Sequence, residues 1–191
     1  YMTLLLILLA VLPTIFMIVF IYYKDSYEKE PVGLLVSLFA LGMAGTIPAV
    51  AYETAGDAFI GLFFYKNSGI YNLISAFLGV ALVEEGVKFI ALYFRTWKNP
   101  NYNYKFDGIV YAVLVSLGFA TVENILYVLE GGLSVAIARA LLSVPSHAID
   151  AVYMGFYYGY AKYYDSVGIV RRRNKNLRMA VIVPVLLHGC Y

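Results

Sequence analysis

Cysteine is nearly absent from this chain of 191 residues: Cys190 stands alone. A single thiol excludes an internal disulfide and a four-cysteine zinc site. Charge is also sparse, at 14% of residues against 62% hydrophobic. The resulting mean hydropathy of +0.75 lies far outside the range of a soluble domain. Alternating strands between regular turn signals are missing, which argues against a membrane β-barrel. Histidine is scarcer still, with two residues, both in apolar surroundings. No internal repeat of the kind many carriers show is visible.

What the chain does have is long apolar runs, and about 20 such residues cross a bilayer as a helix. The pattern predicts an all-α, polytopic transmembrane helix bundle of at least six spans, with residues 1–191 forming a single transmembrane domain. Expected spans are about 2–23 (kinked at Pro13), 32–52, 70–94 and 108–129, then a long stretch to 164 interrupted by Pro145. A last span starts at 179. Between spans two and three, residues 58–65 are too short to cross and read as an interfacial or re-entrant segment. The first run lacks a basic leader and is long enough to span, so it reads as a retained helix rather than a cleaved signal. The chain starts at Tyr1 and stops inside an apolar run, so residues are expected to be missing at one or both ends, and the last span to be truncated.

Loop charge sets an orientation. If the spans alternate, one side holds Lys24, Lys29, Arg95, Lys98, Lys105, Arg171, Arg172, Arg173, Lys175 and Arg178, and the other holds only Lys66. The positive-inside rule then makes the basic side cytoplasmic and the N-terminus external. Arg171 to Arg173 sit between spans, so the basic run is assigned to topology and no nucleic-acid partner is expected. Most of the 19 tyrosines read as an interfacial belt. Gly155 and Gly159 form a small-xxx-small pair suited to close helix packing within the bundle.

Against this background a few charged residues stand out inside the spans. They lie in Val83-Glu84-Glu85-Gly86-Val87-Lys88, in Phe119-Ala120-Thr121-Val122-Glu123-Asn124 and in His147-Ala148-Ile149-Asp150. A charge at the bilayer centre costs roughly 2.5–3.5 kcal/mol on translocon scales. These groups must therefore face one another or water. Glu84 and Lys88 are four apart and share a helix face, whereas Glu85 is rotated by about 100°. One glutamate is expected to pair with Lys88 and the other to face a cavity, the arrangement that acid–base chemistry on water requires. His147 and Asp150 share a face, and Arg139 lies eleven residues before Asp150 on a similar one. At 1.5 Å per residue, Glu85 and His188 lie roughly 15 Å inside their helices and Glu123 about 20 Å, so all can converge in one cavity. Two rival classes remain on the residues alone. Such groups also mark the ion pathway of a proton- or ion-coupled transporter, or merely hold helices together in a non-catalytic scaffold.

Glu84 to Lys88 matches an EExxK motif and Phe119 to Glu123 an FxxxE motif. His147 supplies a third, and Asp107-Gly108-Ile109-Val110-Tyr111 is also shared. In these the chain resembles the PrsW-type site-1 proteases of bacteria, distant relatives of type II CAAX prenyl endopeptidases and Abi proteins. The resemblance runs from Glu28-Lys29-Glu30-Pro31 to His188. It implies a bacterial cell-membrane endopeptidase that makes the first cut in a membrane-anchored anti-sigma factor under envelope stress. It also implies Glu84, Glu85, Glu123 and the histidines as the site. Departures from the wider clan are Lys88 where the CAAX enzymes carry arginine one position later, Glu123 for their histidine, and Ala151 for their asparagine. On this reading Glu84, Glu85 and Lys88 are the catalytic set. Glu123, His147 and His188 are candidate ligands of a divalent metal, zinc by ligand type, and Asn124, Arg139 and Asp150 are further candidates.

Overall fold

The structure, a computed structural model, describes residues 2–25 and 28–191. Tyr1, with Ser26 and Tyr27 of the first charged turn, lies outside the described residues. Seven α-helices and two π-helical segments make up the described fold, with no strand among those residues.

Helix α1 (Met2–Lys24) is apolar on every side, so its pattern selects no single inward face. Leu4, Leu8, Leu12 and Phe16 remain exposed, as side chains that meet lipid do. Helix α2 (Val32–Ile60) runs beyond residue 52, where the apolar pattern ended the span. Gly56 is the weakest helix former of those last turns, at about 1 kcal/mol relative to alanine, and the helix continues through it to Ile60. Glu53 and Asp57 thereby become helical, and the apolar run at 58–65 divides between the end of α2 and an exposed turn.

Helix α3 (Gly69–Ile74) is capped by Ser68, whose Oγ accepts from the Tyr71 amide at 3.2 Å. It passes through a π-helical segment, Ser75–Ala81, into α4 (Leu82–Thr96). Helix α5 (Lys105–Ala138) is the centre of the bundle. It packs against α1, α2, α4 and α6, and every residue from Val110 to Thr121 is buried. Its start is fixed by Asp107, whose carboxylate accepts from the amides of Asn103 and Tyr104 at 3.0 and 2.7 Å. At Gly132, with φ of 71°, the helical backbone breaks. A second π-helical segment, Arg139–Ser143, then leads into α6 (Val144–Ser166), and α7 (Val170–Gly189) returns along α6.

Lipid tails are as apolar as leucine, so helices in a membrane associate through close packing rather than hydrophobic exclusion. Small residues set that closeness here. A Cβ on Gly118 would lie 2.1 Å from the carbonyl oxygen of Phe39 on α2, and one on Gly155 would lie 2.4 Å from Cα of Ile109 on α5. The Gly155 and Gly159 pair thus seats α6 on α5, inside the bundle. Among the described residues, three helical stretches are long and apolar enough to cross a membrane: Thr3–Lys24, Val32–Ile60 and Lys105–Ser166. The rod at residues 69–96 and helix α7 carry Glu84, Glu85 and Lys88, and Arg171 to Arg173, within their length. The molecule is an all-α membrane helix bundle.

Candidate active site

Lys88 is the centre of the site, fully buried beside the Phe119 ring, with Nζ 4.4 Å from its centroid. Its Nζ lies 3.0 Å from Glu84 Oε2, 2.8 Å from Glu85 Oε1 and 3.2 Å from Nδ1 of His147. An ammonium has three donors and no acceptor, so the three contacts use all of them. The expectation that only one glutamate pairs with Lys88 does not hold. Positions three and four residues back both adjoin a helical side chain, and the lysine bonds each.

The bonds of His147 fix its tautomer. Its Nδ1 accepts from Lys88, so Nε2 carries the hydrogen and donates to Glu123 Oε2 at 2.9 Å. Glu123 also meets the Arg139 guanidinium at 2.9 Å. Arg139 in turn donates from Nε to Asn124 Oδ1 at 2.6 Å and lies over the Tyr127 ring. Asn124 donates to the carbonyl of Ala10 at 3.3 Å, tying α1 to α5. From α7, His188 places Nδ1 3.0 Å from Glu85 Oε1 and 3.9 Å from Asp150 Oδ2. The two imidazoles stand edge to face with centroids 5.4 Å apart.

The π-helical segments precede α4, which carries Glu84, Glu85 and Lys88, and α6, which carries His147 and Asp150. An extra residue in a turn rotates everything downstream by about 100°. Pro145 accounts for the second segment: it lacks an amide hydrogen, and its ring clashes with the carbonyl four residues back in a regular helix. The widened turn also separates Arg139 from Asp150. Regular spacing put them on a similar face, whereas the structure sends Arg139 to Glu123 and Asp150 to His188.

Donor atoms of Glu84, Glu85, His147 and His188 all lie within 4.8 Å of one another, a cluster able to hold a metal ion. Glu123 stands beside that cluster, bonded to His147. The donor set fits a divalent cation. Two imidazoles and carboxylates are a common ligand set of catalytic zinc, and Glu85 Oε2 is buried with no hydrogen-bond partner among the described residues.

A cavity of about 270 Å³ opens onto the cluster, lined by Glu84, Glu123, Arg139, His147 and His188. Glu84 reaches this cavity, and Glu85 is completely buried behind it. Helix α2 forms another wall with Thr46, Val50 and Glu53. Sequence reasoning left out Glu53, although its spacing of seven from Thr46 and three from Val50 puts all three on one helical face.

A model of the PrsW family of intramembrane metalloproteases matches residues 30–191. The chain is 39% identical to Protease PrsW of Geobacillus kaustophilus, over 95% of this chain and 76% of that protein. It is 36% identical to Protease PrsW of Bacillus subtilis, over 95% and 78%, and 35% identical to that of Clostridioides difficile, over 96% and 76%. No solved structure matches the chain. The chain belongs to the PrsW family of intramembrane metalloproteases, and is a membrane-embedded peptidase.

Proposed function

We propose that this peptidase makes the first cut in a membrane-anchored anti-sigma factor, with Glu84 as the base that activates water and with a divalent metal, zinc by ligand type, held by Glu85, His147 and His188. The substrate class rests on the family resemblance. The observation that carries the chemistry is the geometry of Glu84: it faces the cavity while Lys88 fixes its carboxylate from behind.

Water entering the cavity meets Glu84, which takes its proton. The remaining oxygen attacks the carbonyl of the peptide bond, and Glu84 returns the proton to the departing amine. Lys88 keeps both glutamates in register through that exchange. Glu123 holds His147 in one tautomer and orientation, the usual task of a carboxylate behind a ligating histidine; Nδ1 is then the nitrogen that would bind the metal, in exchange for its bond from Lys88. This allotment moves Glu123 out of the ligand set and puts Glu85 in, because Glu85 has the partnerless buried oxygen. When bound, the metal supplies Lewis-acid polarisation of the carbonyl and lowers the pKa of a bound water towards 7.

Lys88 favours a second reading, in which no metal takes part. Its ammonium already bonds three of the four residues of the cluster. In that reading His188 donates to the oxyanion, and the glutamates do all the base work. The two readings separate in one experiment: purified protein is assayed on a single-span substrate with and without chelator, alongside elemental analysis. Loss of cleavage on chelation, restored by zinc, supports the metal. Undiminished cleavage by metal-free protein removes the metal and leaves the glutamate base.

A further inference from the structure

We propose that Glu53 is a specificity residue, whose carboxylate receives a lysine or arginine side chain of the segment being cut; the inference rests on the peptidase reading of this cavity. The argument starts from how charge is distributed around the cavity. Three carboxylates line it, Glu53, Glu84 and Glu123, against the single guanidinium of Arg139. Glu84 is bonded to Lys88, and Glu123 to His147 and Arg139. Both cations are therefore already engaged. Glu53 has neither a hydrogen bond nor an ion pair among the described residues, although it is half-buried on the cavity wall.

An ionised carboxylate only accepts hydrogen bonds, and leaving one poorly solvated and unpaired in an apolar wall is costly. Val50, Val80, Phe119 and Leu126 supply such a wall. The group that best satisfies Glu53 is a cationic donor arriving with the substrate. A space of about 270 Å³ lies just below the usual range for small-molecule pockets, which suits one long side chain beside the peptide being cut. Lysine and arginine also bury their methylene stems along apolar surface while the charged head reaches a polar partner. Glu53 shares its cavity with Glu84, His147 and His188, so the residue it reads sits near the bond that is broken.

The test uses the full chain in detergent and a set of single-span peptides. In each peptide one position flanking the cleaved bond carries lysine, its uncharged isostere norleucine, or glutamate. The wild type should cut the lysine peptide at one position with kcat/KM at least about tenfold above the norleucine peptide. Glu53→Gln should bring that ratio to about one, and Glu53→Lys should turn the preference towards glutamate. Labelled peptides binding to a Glu84→Gln protein should show the same ranking without any cleavage. Thermal melts confirm that each variant is folded. Equal ratios for wild type and Glu53→Gln at every position overturn the proposal while leaving the peptidase reading standing. A uniform loss across all peptides overturns it too, since it would mean that Glu53 meets the peptide backbone or supports the fold. Failure of the wild type to cut any peptide would count against the peptidase reading itself, and equal binding of the lysine and norleucine peptides would still dispose of the role given to Glu53.

Discussion

At the scale of single residues the site is organised by Lys88, a buried cation whose three donors meet two glutamates and a histidine. Breaking a buried ion pair by removing one partner typically costs about 3–5 kcal/mol. Lys88→Met is therefore expected to lower the melting temperature and to abolish cleavage, whereas Glu123→Gln should be milder than Glu123→Ala. The amide oxygen of glutamine still accepts from Nε2 of His147, whereas alanine leaves that donor without a partner and Arg139 without its ion pair, held only by Asn124 and the Tyr127 ring. Melting curves and cleavage rates of the three variants check the order. This part of the site was half legible. The spacing of Glu84, Glu85 and Lys88 on one helix follows from the 3.6-residue period. That His147 would supply the third acceptor depends on how α6 meets α4, and no local pattern carries that. Glu53 was missed because the apolar pattern ended its helix one residue earlier.

Among the elements, α5 carries the FxxxE motif and touches four other helices, so its contacts decide whether the site assembles. Gly118 and Gly86 make a matched pair of tests. A methyl on Gly118 would lie 2.1 Å from the Phe39 carbonyl oxygen, inside any allowed contact, whereas one on Gly86 would meet nothing within 4 Å. Gly118→Ala should push α2 away from α5 and lower the melting temperature. Gly86→Ala should leave the melting temperature unchanged or raise it, since helix propensity alone adds up to about 1 kcal/mol of stability. The close approach of α6 to α5 was legible from Gly155 and Gly159. The π-helical segments were not, because a run of apolar residues reads the same in either kind of turn. Pro145 was the one visible sign, and it marks the place where regular spacing wrongly allied Arg139 with Asp150.

Over the whole molecule we propose, from the charge distribution, that the basic loops lie in the cytoplasm and the N-terminus outside. In a Cys190→Ser background, an impermeant thiol reagent applied to intact cells should label a cysteine at Asn67 and spare one at Lys175; the opposite pattern would reverse the orientation. At the end of the bundle away from the site, Glu30 in the loop after α1 is buried and accepts from the Tyr111 hydroxyl. Burial pushes its carboxyl up to about 7; the Tyr111 bond opposes that, and Asp107, Asp25 and Glu28 add to it. A folded-state value above the ordinary one means that the folded protein holds this proton more tightly than the unfolded chain. The stability Glu30 contributes is thus fully present below about pH 4.5 and is lost as pH rises through about 7. Melting temperatures in detergent between pH 5 and pH 8 should fall less steeply for Glu30→Gln than for the wild type. The central claim, that Glu84 at the mouth of the buried cluster drives peptide hydrolysis, is tested most directly in proteoliposomes. The initial cleavage rate of a single-span substrate is compared for the wild type and a correctly folded Glu84→Gln. General acid–base groups contribute about 10²–10⁴-fold, so the account predicts a loss of that size with one product mass seen for the wild type. Cleavage by Glu84→Gln at a rate near that of the wild type would contradict it.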